Sequence, residues 1–237
     1  MYIGIAFWDC AEIVVSAWVN GEPVIVPTAE GKDSIEAESY INDLGEIVVG
    51  KHPETDSPLK CNYNAYFTFS ELIGAGVATV TEFLQQAVQN AEKLTYEKVE
   101  RICVAIPIIF SEADKNVLQN AAERLAIPIA FVHIGDVMAY LFASSDRHKF
   151  SPKRFAILHN DSRYAEFGIY ELRDQEIVRY MLQEIPSPLK TLSRYVEAAI
   201  EQYSGAEKNR SNHFGHMIDI MVPGIRTTPF EKCVNMV

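Results

Sequence analysis

The hydrophobic period of this chain changes at Thr68, and that change points to a mixed α/β architecture. Before it, β-rich runs over residues 2–7, 13–19 and 23–27 read as strands, and Asn20-Gly21 is a tight hairpin turn between the last two. A further strand over 46–49 follows the turn Asp43-Leu44-Gly45. Residues 53–64 are polar, carry two prolines and read as a loop. From Thr68 on, Phe69, Leu72, Ile73, Val77, Val80, Phe83, Leu84 and Val88 recur at helical spacing. They predict one helix to about residue 93, capped by Thr68 or Ser70. Gly74-Ala75-Gly76 within it lacks the third glycine of a dinucleotide motif and reads as a point of close helix packing.

Residues 99–109 form a dense β-branched run, as expected of a strand covered on both faces. A helix over 111–125 follows, with Ser111 as cap and Asp114 in its first turn. A short strand over 127–133 and a helix over 137–143 complete the first half. The polar, basic stretch 144–154 marks a boundary, giving a first lobe over 1–150 and a second over 151–237. The opening pattern then returns, with strands over 155–159, 165–171 and 176–182, a turn at Arg173-Asp174 and a helix over 189–203. A polar linker over 204–214 and a last strand over 216–222 follow. Two halves that each open on three strands and then a helix read as an internal duplication.

Composition narrows the function classes. With 21 basic and 32 acidic residues the net charge is -11. That argues against nucleic acid, which wants a concentrated basic face. The short basic stretch 149–154 reads as a solvated loop. No apolar run reaches the length of a membrane span, and the first residues lack a basic leader, so a cytoplasmic setting is expected. Cys10, Cys61, Cys103 and Cys233 are scattered, without CxxC spacing, which fits a reducing compartment. The histidines show no HExxH pattern, and a His213/His216 metal pair is less economical than two residues of a polar linker. No GxSxG elbow is present.

Seven segments, in order, resemble landmarks of the heat-shock-70 ATPase domain. Gly4-Ile5 and then Trp18-Val19-Asn20-Gly21-Glu22-Pro23 are similar to its opening GIDLGTTNS and the strand ending in W-E-N-G. IVPTAEG at 25–31 resembles IIPNAEG, and EIVVG at 46–50 resembles ERLVG. VAIPIIFSEADKNVLQNA, ending at residue 121, is similar to VTVPAYFNDAQRQATKDA. Residues 131–143 stand where that family has RIINEPTAAALAY, 155–172 resemble ILVFDLGGGTFDVSILEI, and 219–229 resemble IVLVGGSTRIP. The resemblance implies duplicated actin-like ATPase (ribonuclease H-like) lobes, pruned of the upper-cleft insertions.

It also implies that the chemistry is gone. The metal-holding aspartate of the family's first loop falls at Ala6, and its GTTN falls at about Trp8-Asp9-Cys10-Ala11. The catalytic glutamate falls at Gly135, with Asp136 where proline should follow. DLGGGT becomes His159-Asn160-Asp161-Ser162-Arg163-Tyr164, without the glycines that let backbone close on phosphate. On the adenosine side only Gly224 and a shifted Arg226 remain, and Lys51 and Lys60 are no convincing counterparts of the phosphate-binding lysine. Phe7, Trp8 and Tyr164 are expected near the cleft, as an aromatic plug. The resulting expectation is a pseudo-ATPase without cofactor or metal, with no nucleic-acid or membrane partner. It would engage a protein partner, such as another chaperone component. The alternative is a divergent ATP-binding chaperone domain that binds ATP and magnesium weakly and hydrolyses slowly through Asp9, Asp136 or Asp161, and a cation held by Asp9, His159 and Asp161 is a further reading.

Overall fold

The computed structural model describes residues 1–8, 12–53, 63–144, 154–160, 165–173 and 176–185. The helix, linker and strand expected over 189–222 lie outside these, as do Asp9, Asp161, Tyr164, Gly224, Arg226 and the side chain of Trp8.

The chain is mixed α/β and forms two compact units. The first comprises Met1–Ile106 and Phe110–Val132. Here β1 (Tyr2–Trp8), β2 (Glu12–Val19) and β3 (Glu22–Ile25) form an antiparallel meander. The hairpin turn expected at Asn20-Gly21 is present, with φ of 53° and 87°, as a two-residue turn of this kind demands. A two-residue strand, β4 (Ile35–Glu36), also pairs with β2. A second small sheet joins β5 (Glu38–Ile41), β6 (Ile47–Val49) and β7 (Asn64–Ala65). β5 was not expected from the sequence, because its only apolar signal is Tyr40-Ile41 ahead of the Asn42 turn.

The helical stretch that follows is two helices rather than one. α1 (Phe69–Gly74) is capped by Thr68, whose hydroxyl accepts from the Glu71 N–H at 3.2 Å. α2 (Val77–Thr95) starts afresh after Gly76, which has φ 93° and ψ 171°. Only glycine adopts that conformation without strain. The expected role of the glycines in close packing is not what the structure gives: a Cβ at Gly74 or Gly76 would meet nothing within 4 Å. Gly76 is there to break the helix. β8 (Arg101–Ile106) pairs in parallel with β1, and α3 (Glu112–Arg124) begins with the reciprocal box of Ser111 and Asp114. β9 (Ile129–His133) closes the order β3-β2-β1-β8-β9.

Strand alternation sets the first core. Ile3, Ile5, Ile13, Val15, Ala17, Ile102, Val104 and Ile106 point to one face, where they meet Val80, Phe83, Leu84 and Ala87 of α2. Phe7 stacks on Phe69 with ring centroids 5.2 Å apart, so it belongs to this core and not to an aromatic plug of a cleft. Ala6 lies in mid-strand, between Val14 on β2 and Ala105 on β8, not in a loop.

The second unit comprises Pro107–Ile109 and the described residues from His133 on. The change of unit at residues 132/133 precedes the expected boundary at 150. The reason is that α4 (Ile134–Ser144) packs on β10 (Arg154–Asn160), β11 (Ala165–Arg173) and β12 (Glu176–Ile185), an antiparallel meander of its own. Met138, Ala139 and Phe142 of α4 meet Phe155, Ile157 and Tyr170.

The break between α1 and α2 gives a paired prediction. Gly76→Ala should cost about 1–3 kcal/mol through backbone strain. Gly74→Ala, in helical backbone with open space around it, should gain about 0.5–1 kcal/mol. Urea denaturation of the two variants checks both signs.

Candidate functional site

β11 is buried along its whole length from Ala165 to Glu171, yet it carries a carboxylate at Glu166, which is 1% exposed. A buried carboxylate needs hydrogen-bond donors to offset the loss of water. Glu166 finds two in backbone amides. Its Oε1 accepts from the Ile108 N–H at 2.5 Å, and its Oε2 accepts from the Gly135 N–H at 3.2 Å, in the first turn of α4. The first turn of a helix offers unpaired N–H groups and a positive dipole end, so a carboxylate there is doubly favoured.

Beside it, Asp136 takes part in a second set of bonds. Its Oδ1 accepts from the Tyr170 hydroxyl at 3.2 Å, and its Oδ2 accepts from Arg179 Nη1 at 2.7 Å. Tyr170 is wholly buried, with its ring stacked on Phe155 at 5.8 Å. Burial, then the negative charge of Asp136, push its hydroxyl well above the ordinary phenol range. Arg179 reaches Asp136 because the register between β11 and β12 shifts after Ile169↔Met181, so that Tyr170 pairs with Arg179. The extra residue, Tyr180, bulges, and the residues before it change face. The Tyr180 hydroxyl donates to Glu171 Oε2 at 2.6 Å and accepts from Arg173 Nη2 at 3.1 Å.

Two glycines make room for this arrangement. A Cβ at Gly168 would overlap Tyr170 Cε2 and stand 2.7 Å from the Tyr170 hydroxyl. A Cβ at Gly135 would stand 2.8 Å from Leu182 Cδ1 and 2.9 Å from the same hydroxyl. Both positions therefore exclude any side chain while Tyr170 keeps its place.

Of the positions expected from the sequence, the structure brings Gly135 and Asp136 together on α4. His159 stands on β10 directly opposite Glu166 in the strand register. Ala6 lies in the first unit. Glu166, Tyr170 and Arg179 were missed. One signal was available for Glu166: a single carboxylate inside the run Ala165-Glu166-Phe167-Gly168-Ile169-Tyr170. Arg179 had none, because its face depends on the bulge. Chemically, each oxygen of Glu166 and of Asp136 has a donor within the protein. Among the described residues, no group of three or more histidine, cysteine or acidic side chains is placed to hold a metal ion. No protein-family profile matches the chain, and no curated protein sequence matches it.

Glu166→Ala should orphan the buried Gly135 N–H, at about 1–3 kcal/mol, and add a smaller loss from the partly buried Ile108 N–H. Glu166→Gln, which keeps one acceptor, should cost less. Chemical denaturation of both variants gives the comparison. Tyr170 predicts a pH effect. Its folded pKa is raised, so its contribution is fully present below the unfolded value of about 10 and is lost as pH rises beyond it. Tyr170→Phe should flatten the stability profile above about pH 10 and cost about 1 kcal/mol at neutral pH. A wild-type steepness retained in the variant would place the alkaline sensitivity elsewhere.

Proposed function

We propose that this chain is a catalytically inactive, heat-shock-70-like module, built on duplicated actin-like lobes, that engages a protein partner. Supporting the duplication, each unit contains an antiparallel three-strand meander, β1-β2-β3 and β10-β11-β12. Supporting inactivity, position 135 matters most. The resemblance puts the catalytic glutamate there, but the space a side chain would need holds the Leu182 methyl and the Tyr170 hydroxyl. The amide of that same residue is bonded to Glu166. Asp136, the carboxylate next in the chain, is paired on both oxygens. A general base must be free to take a proton within hydrogen-bond reach of its substrate, and these groups are committed to holding the unit together. Ala6, on the other unit, supplies no carboxylate for a hydrated metal. A domain kept without its chemistry is kept for its surface, and a protein partner, including another chaperone component, is the reading that fits.

Mg·ATP gives the test. A ligand held only by the native state, at a hundred times its Kd, adds about 2.7 kcal/mol. For a chain of this size that raises Tm by roughly 5–10 °C. The expected outcome is a shift below about 1 °C at millimolar Mg·ATP or Mg·ADP, on the same scale. A saturable rise of several degrees would overturn the reading in favour of an ATP-binding domain.

A further inference from the structure

On the face of the first sheet turned away from its core, four exposed residues stand in one row across the strands. Ile3, Ala17 and Ile102 point into the core, so their neighbours Tyr2, Trp18 and Arg101 point the other way. The register pairs Tyr2 with Arg101 and Trp18 with Pro23, and the pairing of Ile3 with Ala17 sets Trp18 opposite Tyr2. The row is therefore Pro23, Trp18, Tyr2, Arg101. Trp18 is 63% exposed and Tyr2 60%, and the Arg101 guanidinium lies 5.8 Å from the Tyr2 ring centre. The next row on this face is small, with Ser16, Gly4 and Cys103 beside the exposed Ile25. The result is a ridge of aromatic rings beside a low floor.

Isolated exposed apolar residues need no explanation, but adjoining tryptophan and tyrosine with an arginine are the residues that dominate interfaces. We propose that this row docks an extended, proline-rich segment of a partner that carries a single carboxylate at the Arg101 end. Neighbouring strands lie about 4.8 Å apart, so four residues span about 14 Å. A polyproline II segment rises about 3.1 Å per residue, and roughly five residues cover that span. Its proline rings stack on aromatic faces without loss of backbone freedom, because the segment is already stiff. Arg101 is the one ionised side chain of the row, and a carboxylate is its complement. The net charge of -11 disfavours a strongly acidic partner, so one carboxylate suits this surface better than several. A second folded copy of the chain is a poorer occupant, since one row offers far less than the roughly 800 Å² per partner of a stable dimer. The proposal rests on the interaction-module reading and gives it a surface and a partner chemistry.

Calorimetry with the acetylated, amidated peptide Pro-Pro-Pro-Pro-Pro-Asp tests it, against the same peptide ending in Lys and one with Ala for every Pro. The Asp peptide should bind the full chain, and both controls should bind at least tenfold more weakly. Trp18→Thr, which keeps a residue suited to a strand, should weaken binding at least tenfold with an unchanged melting temperature. Arg101→Gln should remove the preference for Asp over Lys while leaving proline dependence intact. Absence of binding at millimolar peptide, equal binding of the Ala control, or equal binding by Trp18→Thr would overturn the proposal. So would self-association, seen by sedimentation and abolished in Trp18→Thr, because the occupant would then be a second copy. Mg·ATP is run in parallel. Binding of nucleotide would sink the inactive-module reading and leave the peptide result standing, whereas loss of peptide binding alone sinks only this surface.

Discussion

One buried carboxylate organises the second unit. Glu166 sits on a strand that is closed to solvent, and it bonds at once to the amide of Ile108 and to the first turn of α4. Two segments far apart in the sequence are thereby fixed to β11, one 58 and the other 31 residues away. Burying such a group costs several kcal/mol unless its acceptor capacity is used. The requirement works in both directions, since the two amides would be orphaned without it. The remaining features of the unit follow from that anchorage. With α4 held by its first turn, Asp136 comes within reach of Tyr170 and Arg179. Tyr170 then fills the volume above Gly135 and Gly168, and those two positions have no room for a side chain.

The consequence for chemistry is that the Gly135 amide and both oxygens of Asp136, at the start of α4, have partners within the chain. An active site keeps donors and acceptors that are completed only by its substrate. Here the Gly135 amide in the first turn of α4, the kind of group that elsewhere binds anions, is already bonded to a carboxyl oxygen of the same chain. The arrangement resembles an occupied ligand site in which the ligand is covalently attached. The aromatic row on the first unit involves none of these residues.

Legibility followed the range of the forces involved. Strand and helix identities were readable wherever a period was sustained, as in the Ser111–Asp114 cap, the Asn20-Gly21 turn and the strands of both meanders. The break at Gly76 was missed because the apolar spacing continues across it, and only the positive φ reveals it. β5 was missed because a short strand with one open face carries little apolar signal. The resemblance puts Phe7 at a cleft, but its stacking on Phe69 is a tertiary contact that no local pattern encodes. At the candidate site the sequence indicated Gly135 and Asp136 through the resemblance alone. The partners that define their chemistry depend on a strand bulge and on backbone amides, which leave no mark in side-chain spacing.

The central claim is that Glu166 already occupies the amides that a ligand at α4 would need. The most direct measurement follows the Ile108 and Gly135 amide signals by ¹H–¹⁵N NMR through a titration with Mg·ATP. Two exchange-protected signals that stay in place up to millimolar nucleotide are the expected result. A saturable shift of both signals would contradict the claim, because the nucleotide would then be reaching the site that the protein's own carboxylate is held to fill.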